Sequence, residues 1–196
     1  DYLYALCDDP DGGFFLLSGS LPAGYVDARG NFTFLSGDPE GRLTLSRYDK
    51  DFNLQQTIPL ETRYTETGAR FFQITKVDGG FAILSASMLV LLDERGAETT
   101  RQELNSNGGW AFAAMQKVDG TLFVLTRAVF HGEVPELRAF DANALTPLEV
   151  QTLPSDAAGL GLDEDGQFLL TDSERLSRFD LTTGKVQTIA LWRELG

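Results

Sequence analysis

The apolar residues of this chain come in short runs separated by acidic, glycine-containing turns. Runs of four to eight residues bounded by Gly and Asp read as β-strands. An Asp-Gly pair leading into an apolar run occurs four times, at Asp11-Gly12-Gly13-Phe14, Asp78-Gly79-Gly80-Phe81, Asp119-Gly120-Thr121-Leu122 and Asp165-Gly166-Gln167-Phe168. Each copy is followed by a second marker, an apolar residue and then Asp: Tyr48-Asp49, Leu92-Asp93, Phe140-Asp141 and Phe179-Asp180. The first markers are 67, 41 and 46 residues apart, the second markers 44, 48 and 39. With an insertion over roughly 19–41 set aside, the period is about 40–47 residues, the length of a four-stranded propeller blade.

Each unit then divides into strands A to D. In the second unit A covers 71–77, B 81–85, C 89–93 and D 99–104. The Asp-Gly pairs and Arg95-Gly96 supply the left-handed backbone positions of tight hairpins. Strand B is nearly all apolar in every unit (14–17, 81–84, 122–125, 168–170), which predicts burial on both faces between neighbouring blades. The D strands are rich in Gln and Thr, for example Gln55-Gln56-Thr57 and Gln187-Thr188, as expected of outer edges kept polar against edge-to-edge pairing. The predicted fold is all-β, a β-propeller-type array of four four-stranded antiparallel blades. The blades cover 1–60, 69–104, 110–153 and 157–191, so the propeller domain is 1–191. Residues 192–196 are a tail, and 190–196 can begin a helix toward a further domain. A sandwich of hairpin pairs is the competing fold, but it does not account for the repeated order of markers.

The fourth unit carries the clearest pattern: Ala158-Gly159-Leu160-Gly161-Leu162-Asp163-Glu164-Asp165-Gly166-Gln167-Phe168, then Leu176-Ser177-Arg178-Phe179-Asp180 and Thr183-Gly184-Lys185. It resembles a blade of the NHL/YncE-like group of β-propellers. The resemblance implies a fold and no activity, because propellers host many functions. Such families usually have six to eight blades, against four here. The expectation is a closed four-bladed ring, part of a larger propeller, or a set of blades completed by another chain as a homodimer or by a further domain.

Composition narrows the partners. A net charge of −13 argues against nucleic acid and anionic membrane surfaces, which require a positive face. No stretch reaches the roughly 20 apolar residues of a membrane helix, so no membrane insertion is expected. Cys7 is the single cysteine, which excludes an intrachain disulfide, and its apolar neighbours predict a buried strand position. The start at Asp1 suggests an extracellular, periplasmic or cell-surface domain, and an expression boundary explains it equally well.

In each blade the A–B and C–D turns lie at one end, the B–C and D-to-A connections at the other. All the long connections (19–41, 61–69, 105–109, 127–135) belong to the second set. Long loops on one face of a rigid array are the usual carriers of binding. That face would carry Tyr25, Asn31, Phe32, Phe34, Arg63, Tyr64, Asn105, Asn107, Trp110, Arg127, Phe130 and His131. Of these, Tyr25, Phe32, Arg63, Tyr64, Asn107, Trp110, Arg127, Phe130 and His131 are the candidate ligand-binding residues. Rings with Asn and Arg suit an unknown small molecule, a glycan or a protein by stacking and bidentate hydrogen bonds. Packing of the aromatic rings onto the blades, and of Trp110 between blades, is the structural alternative.

His131 is the only histidine, and no Gly-x-Ser-x-Gly pattern accompanies it, so no catalytic residue is assigned. Zinc would lack ligands. The acidic turns lack the spacing and distal Glu of a dedicated calcium loop, so no metal is expected. Gly159-Leu160-Gly161 lacks the third glycine of a dinucleotide site, and no cofactor is expected. The leading expectation is a non-enzymatic binding module. The alternatives are a propeller hydrolase or lactonase, and a structural module that docks another domain or completes a propeller by oligomerisation. The starts of the inner strands, such as Gly109-Trp110-Ala111, carry few carboxylates, which counts against the hydrolase.

Overall fold

A computed structural model describes residues 2–19, 23–26, 32–36, 41–63, 73–85, 88–104, 111–128, 134–153 and 157–192. These residues contain eighteen strands and no α-helix. The strands are β1 (Tyr2–Asp8), β2 (Phe14–Gly19), β3 (Ala23–Val26), β4 (Phe32–Ser36), β5 (Arg42–Tyr48), β6 (Leu54–Arg63), β7 (Gln73–Val77), β8 (Gly80–Leu84), β9 (Met88–Asp93), β10 (Glu98–Glu103), β11 (Ala111–Val118), β12 (Thr121–Ala128), β13 (Glu136–Asp141), β14 (Pro147–Thr152), β15 (Gly159–Leu162), β16 (Phe168–Thr171), β17 (Arg175–Asp180) and β18 (Lys185–Leu191). They form four four-stranded sheets in the orders β1-β2-β5-β6, β7-β8-β9-β10, β11-β12-β13-β14 and β15-β16-β17-β18. These are the four predicted A-to-D units.

The insertion in the first unit is not a bare loop: β3 and β4 pair as a separate antiparallel hairpin, with Tyr25 opposite Thr33 and Val26 opposite Phe32. Of the C-terminal segment expected to begin a helix, residues 193–196 lie outside the described residues. Ala190 and Leu191 continue β18, and Ala190 pairs with Leu176.

The chain divides into two units, 1–85 with 90–101, and 86–89 with 102–196. The first contains two sheets in which β1 runs beside β7, and the second two in which β11 runs beside β15. Both units use the same aromatic lock between their sheets. In the first, the rings of Phe15 and Phe81 meet edge-to-face at 4.8 Å and 71°. In the second, Phe123 and Phe168 meet at 4.8 Å and 66°. Phe15 and Phe123 stand four residues after the Asp of their Asp-Gly pair, Phe81 and Phe168 three, so adjacent residues of strand B serve opposite faces of the sheet. Burying one such ring contributes roughly 1.5–3 kcal/mol, and edge-to-face geometry adds about 0.5–1.5 kcal/mol.

Burial of strand B is less uniform than the apolar runs predict. All five residues of β8 are buried, whereas β2 and β16 alternate buried and half-buried positions. One face of these strands packs inside its unit and the other is only partly covered. The outer strands are largely exposed, β14 at nearly every position, but they are less polar than expected: Leu54, Leu148, Val150 and Ile189 are exposed beside their Gln and Thr residues. Cys7 is half-buried rather than fully enclosed. Burial, reinforced by the charge of Asp8, pushes its thiol up to about 12.

Candidate functional site

The acidic markers are turn-forming devices with two distinct geometries. The first is a five-residue turn starting at Asp9, Asp49, Asp93 and Asp163. In each, the N–H three residues on donates to the carbonyl of the Asp, as in Gly12 to Asp9 at 2.9 Å and Gly166 to Asp163 at 3.0 Å. One carboxylate oxygen also accepts the N–H two residues on: Asp11 to Asp9 at 3.1 Å, Asp51 to Asp49 at 2.9 Å, Arg95 to Asp93 at 2.8 Å and Asp165 to Asp163 at 3.0 Å. The fourth residue takes the left-handed conformation, with φ 94° at Gly12, 63° at Phe52, 84° at Gly96 and 76° at Gly166. The second geometry is one residue wider and starts at Asp141 and Asp180, with Leu145 (φ 54°) and Gly184 (φ 66°) left-handed. Asp141 accepts from the N–H groups of Asn143 and Ala144, and Asp180 from Thr182 and Thr183.

The repeated Asp-Gly pair thus joins two different structures. In the first and fourth sheets its Asp is the exposed middle of a turn whose working carboxylate lies two residues earlier. In the other two it is a two-residue hairpin, with Val77 opposite Gly80 and Val118 opposite Thr121. In the last of these Asp119 (φ 47°) is left-handed, not Gly120.

Two of the capping carboxylates also take an arginine from strand C. Arg47 Nε donates to Asp9 Oδ2 at 2.5 Å, and its Nη2 reaches Asp11 Oδ2 at 3.0 Å. Arg178 Nη2 lies 2.8 Å from Asp163 Oδ2. Burial would raise the Asp9 carboxyl, but the hydrogen bonds from Arg47 and the Asp11 N–H outweigh it and hold it below the usual range. At Asp163 the Gln167 N–H is the main lowering influence, and Arg178 adds to it. The Asn53 N–H does the same at Asp49 and the Thr183 N–H at Asp180. These carboxylates are ionised and committed to backbone donors, which suits neither a general acid nor an open metal site. The described residues include no cluster of His, Cys, Asp and Glu able to hold a metal.

A groove lies at this turn end in each unit, between its two sheets. In the first unit its volume is about 420 Å³, and Phe15, Phe81, Arg47, Lys76 and Glu94 are among its lining residues. Charged side chains cover the aromatic pair there: Lys76 Nζ lies 4.4 Å from the centre of the Phe81 ring and 5.7 Å from that of Phe15. Arg47 stands 5.8 Å from the Phe15 ring, and Lys76 pairs with Glu94 at 3.6 Å. In the second unit the volume is about 660 Å³, lined by Phe123, Phe168, Val118, Leu181, Val186 and a polar rim including Lys185.

Four of the nine candidate residues from the sequence are among the described residues. Tyr25 lies in β3 and Phe32 in β4, on neighbouring rungs of the extra hairpin. Arg63 ends β6, paired with Arg42. Arg127 lies near the end of β12, opposite Phe112. Tyr64, Asn107, Trp110, Phe130 and His131 lie outside the described residues. Sequence reasoning missed the turn-end pairs of Asp9 with Arg47 and Asp163 with Arg178. The signal was present as Asp three residues before Gly, combined with Arg-aromatic-Asp at Arg47-Tyr48-Asp49 and Arg178-Phe179-Asp180.

No protein-family model matches the chain. No curated protein matches it either. Solved structures do. The Neurospora crassa Pan2 WD40 domain superimposes with a TM-score of 0.58 at 11% identity, over 97% of this chain and 49% of that one. BamB from Moraxella catarrhalis gives 0.54 at 13% identity, over 96% and 50%. An engineered GH43 glycoside hydrolase with endo-xylanase and exo-arabinofuranosidase activity gives 0.54 at 14%, over 95% and 39%. The chain is an all-β array of four four-stranded antiparallel blades of the β-propeller type. It spans half or less of the length of these structures. At such identities the likeness is one of fold.

Proposed function

We propose that the chain is a non-enzymatic binding module whose working surface is the end of the blades opposite the capped turns. The observation that carries this reading is the β3–β4 hairpin. It is the one described element outside the four sheets, it is inserted between the second and third strands of the first blade, and it sets Tyr25 and Phe32 on neighbouring rungs. A structured insertion on a rigid scaffold is a common way to present a binding surface. At the other end, Asp9, Asp49, Asp93, Asp141, Asp163 and Asp180 spend their carboxylates on holding backbone. Arg63 ends β6 at the end of the first blade opposite these turns, and Arg127 approaches the corresponding end of β12 in its own blade; a guanidinium offers hydrogen-bond donors to a glycan, peptide or protein.

The solved structures similar to this chain include a WD40 domain and BamB as well as a glycoside hydrolase, so fold alone does not choose between binding and hydrolysis. The NHL/YncE-like grouping, which rests on the fourth blade's sequence, and an extracellular or periplasmic location belong to the same reading. No helix among the described residues is long and apolar enough to cross a membrane.

The test is a paired screen of the wild-type chain and Tyr25→Ala/Phe32→Ala on glycan and peptide arrays, with a parallel panel of ester, lactone and glycoside substrates. The expected result is a wild-type hit lost in the double variant, without turnover in the panel. Turnover by the wild type, or hits indifferent to both substitutions, would overturn the proposal.

A further inference from the structure

The aromatic lock of each unit follows one rule of position. The residue four after the Asp of one blade, Phe15 or Phe123, meets the ring three after the Asp of the next, Phe81 or Phe168. The first blade carries a ring of its own at the receiving position, Phe14. Among the described residues Phe14 meets only rings of its own blade, Tyr48 at 5.2 Å and Phe52 at 5.4 Å. Strand register sets Leu3, Leu6, Leu16 and Tyr48 on the same face as Phe14. Leu3 is 70% and Leu6 57% exposed, so the described residues of the chain leave this face open. Apolar surface of this kind marks an interaction site, and the equivalent faces carrying Phe81 and Phe168 are each covered by the blade before them.

We propose that the open face of the first blade is covered by the fourth blade of a second copy of this chain. The fourth blade has Leu169 at the inserting position, half-buried and on the face of β16 opposite Phe168 and Leu170. Charge selects this partner. In the first unit Arg47 stands opposite the inserting residue Phe15, and Lys76 opposite the receiving ring Phe81. These two cations come together over one ring, 5.8 and 5.7 Å from the centre of Phe15, and are neutralised by Asp9, Asp11 and Glu94. The equivalent residues of the proposed contact are Arg178, opposite Leu169, and Asp8, opposite Phe14. They have opposite signs, so a contact built like the first lock pairs them directly. Arg178 keeps Asp163 at 2.8 Å, and Arg47, which holds Asp9 and Asp11 at once, shows that a guanidinium at this position can take two carboxylates. The contact joins unlike faces, and a closed pair makes it twice, each fourth blade on the other copy's first blade. It does not depend on the binding surface proposed above.

The experiment is light scattering of the purified chain over a dilution series, in about 0.15 M salt to screen its net negative charge. The expected mass is twice 21.5 kDa, falling to a single chain on dilution. Leu6→Arg on the first blade and Leu169→Glu on the fourth should each weaken association by about tenfold or more. An equimolar mixture of these two variants should associate more tightly than either alone, because one of its two contacts joins unaltered faces. Asp8→Lys, at an exposed position, should weaken association about tenfold through repulsion from Arg178. It provides the readout if either apolar variant does not unfold cooperatively. Leu148→Arg, on the exposed outer strand β14, should leave the mass unchanged. A monomer at every concentration, a dimer indifferent to both Leu6→Arg and Asp8→Lys, a mixture no tighter than its components, or association lost in Leu148→Arg would each overturn the proposal.

Discussion

Among single residues, Phe52 breaks the rule its own chain sets. The equivalent position in the other five-residue turns is Gly12, Gly96 or Gly166, and all four are left-handed. A left-handed conformation costs a residue with a Cβ roughly 1–2 kcal/mol. Phe52 is 76% exposed and recovers only an edge contact with Phe14, at 5.4 Å. Phe52→Gly is therefore expected to raise stability by about 1 kcal/mol, net of the greater freedom of Gly in the unfolded chain. Urea unfolding of the two proteins measures it, and a lower midpoint for the variant would show that the ring contact outweighs the strain. Leu145 is the contrasting case, left-handed but 2% exposed, so that burial of its side chain offsets the backbone strain.

Between elements, the second glycine of the Gly-Gly pairs is where strand B passes the C–D turn. A Cβ on Gly80 would stand 1.8 Å from the carbonyl oxygen of Leu92, and one on Gly13 2.1 Å from that of Tyr48. Backbone cannot yield as a side-chain tip does. Gly80→Ala is expected to cost about 3 kcal/mol, whereas Gly79→Ala, left-handed but in open space, costs about 1 kcal/mol. Thermal unfolding of both variants checks the order, and equal losses would refute the close-approach account. The four-strand units, their turns and their exposed outer strands were legible in the sequence, because strand period and turn chemistry are local. The identity of the working carboxylate was not. Asp9 and Asp11 look alike as letters, and only the pairing of β2 with β5 brings Arg47 onto Asp9.

For the molecule as a whole, the capped turns link stability to pH. The carboxyls of Asp9, Asp49, Asp163 and Asp180 in those turns, of Asp172, which accepts the Glu174 and Arg175 N–H groups between β16 and β17, and of Glu98 in β10, paired with Arg101, are all held below their ordinary values. At Asp9 and Asp172 burial opposes the shift and is outweighed. Arg hydrogen bonds lead the lowering at Asp9 and Glu98, and backbone N–H groups lead it at the others. A carboxyl with a depressed folded-state value contributes stability that is fully present above its unfolded value, about 4, and is lost as pH falls through the folded value. The urea midpoint should hold between about pH 5 and 7 and drop steeply below about pH 4. A midpoint independent of pH down to about 3 would mean the turns do not need their charges. The same titration is not expected to involve Cys7, whose thiol stays protonated throughout that range.

Four repeats of four short strands, joined by acidic glycine turns and with exposed strands outermost, follow from the order of the amino acids alone. Alternation, turn preference and period are written along the chain and depend little on distant contacts. Folding in three dimensions settles the rest: which carboxylates hold turns, that one insertion is a hairpin, and that an edge-to-face aromatic pair joins the two sheets of each unit. Those properties arise where residues tens of positions apart meet across strands and between sheets, and a linear reading has no register for such meetings.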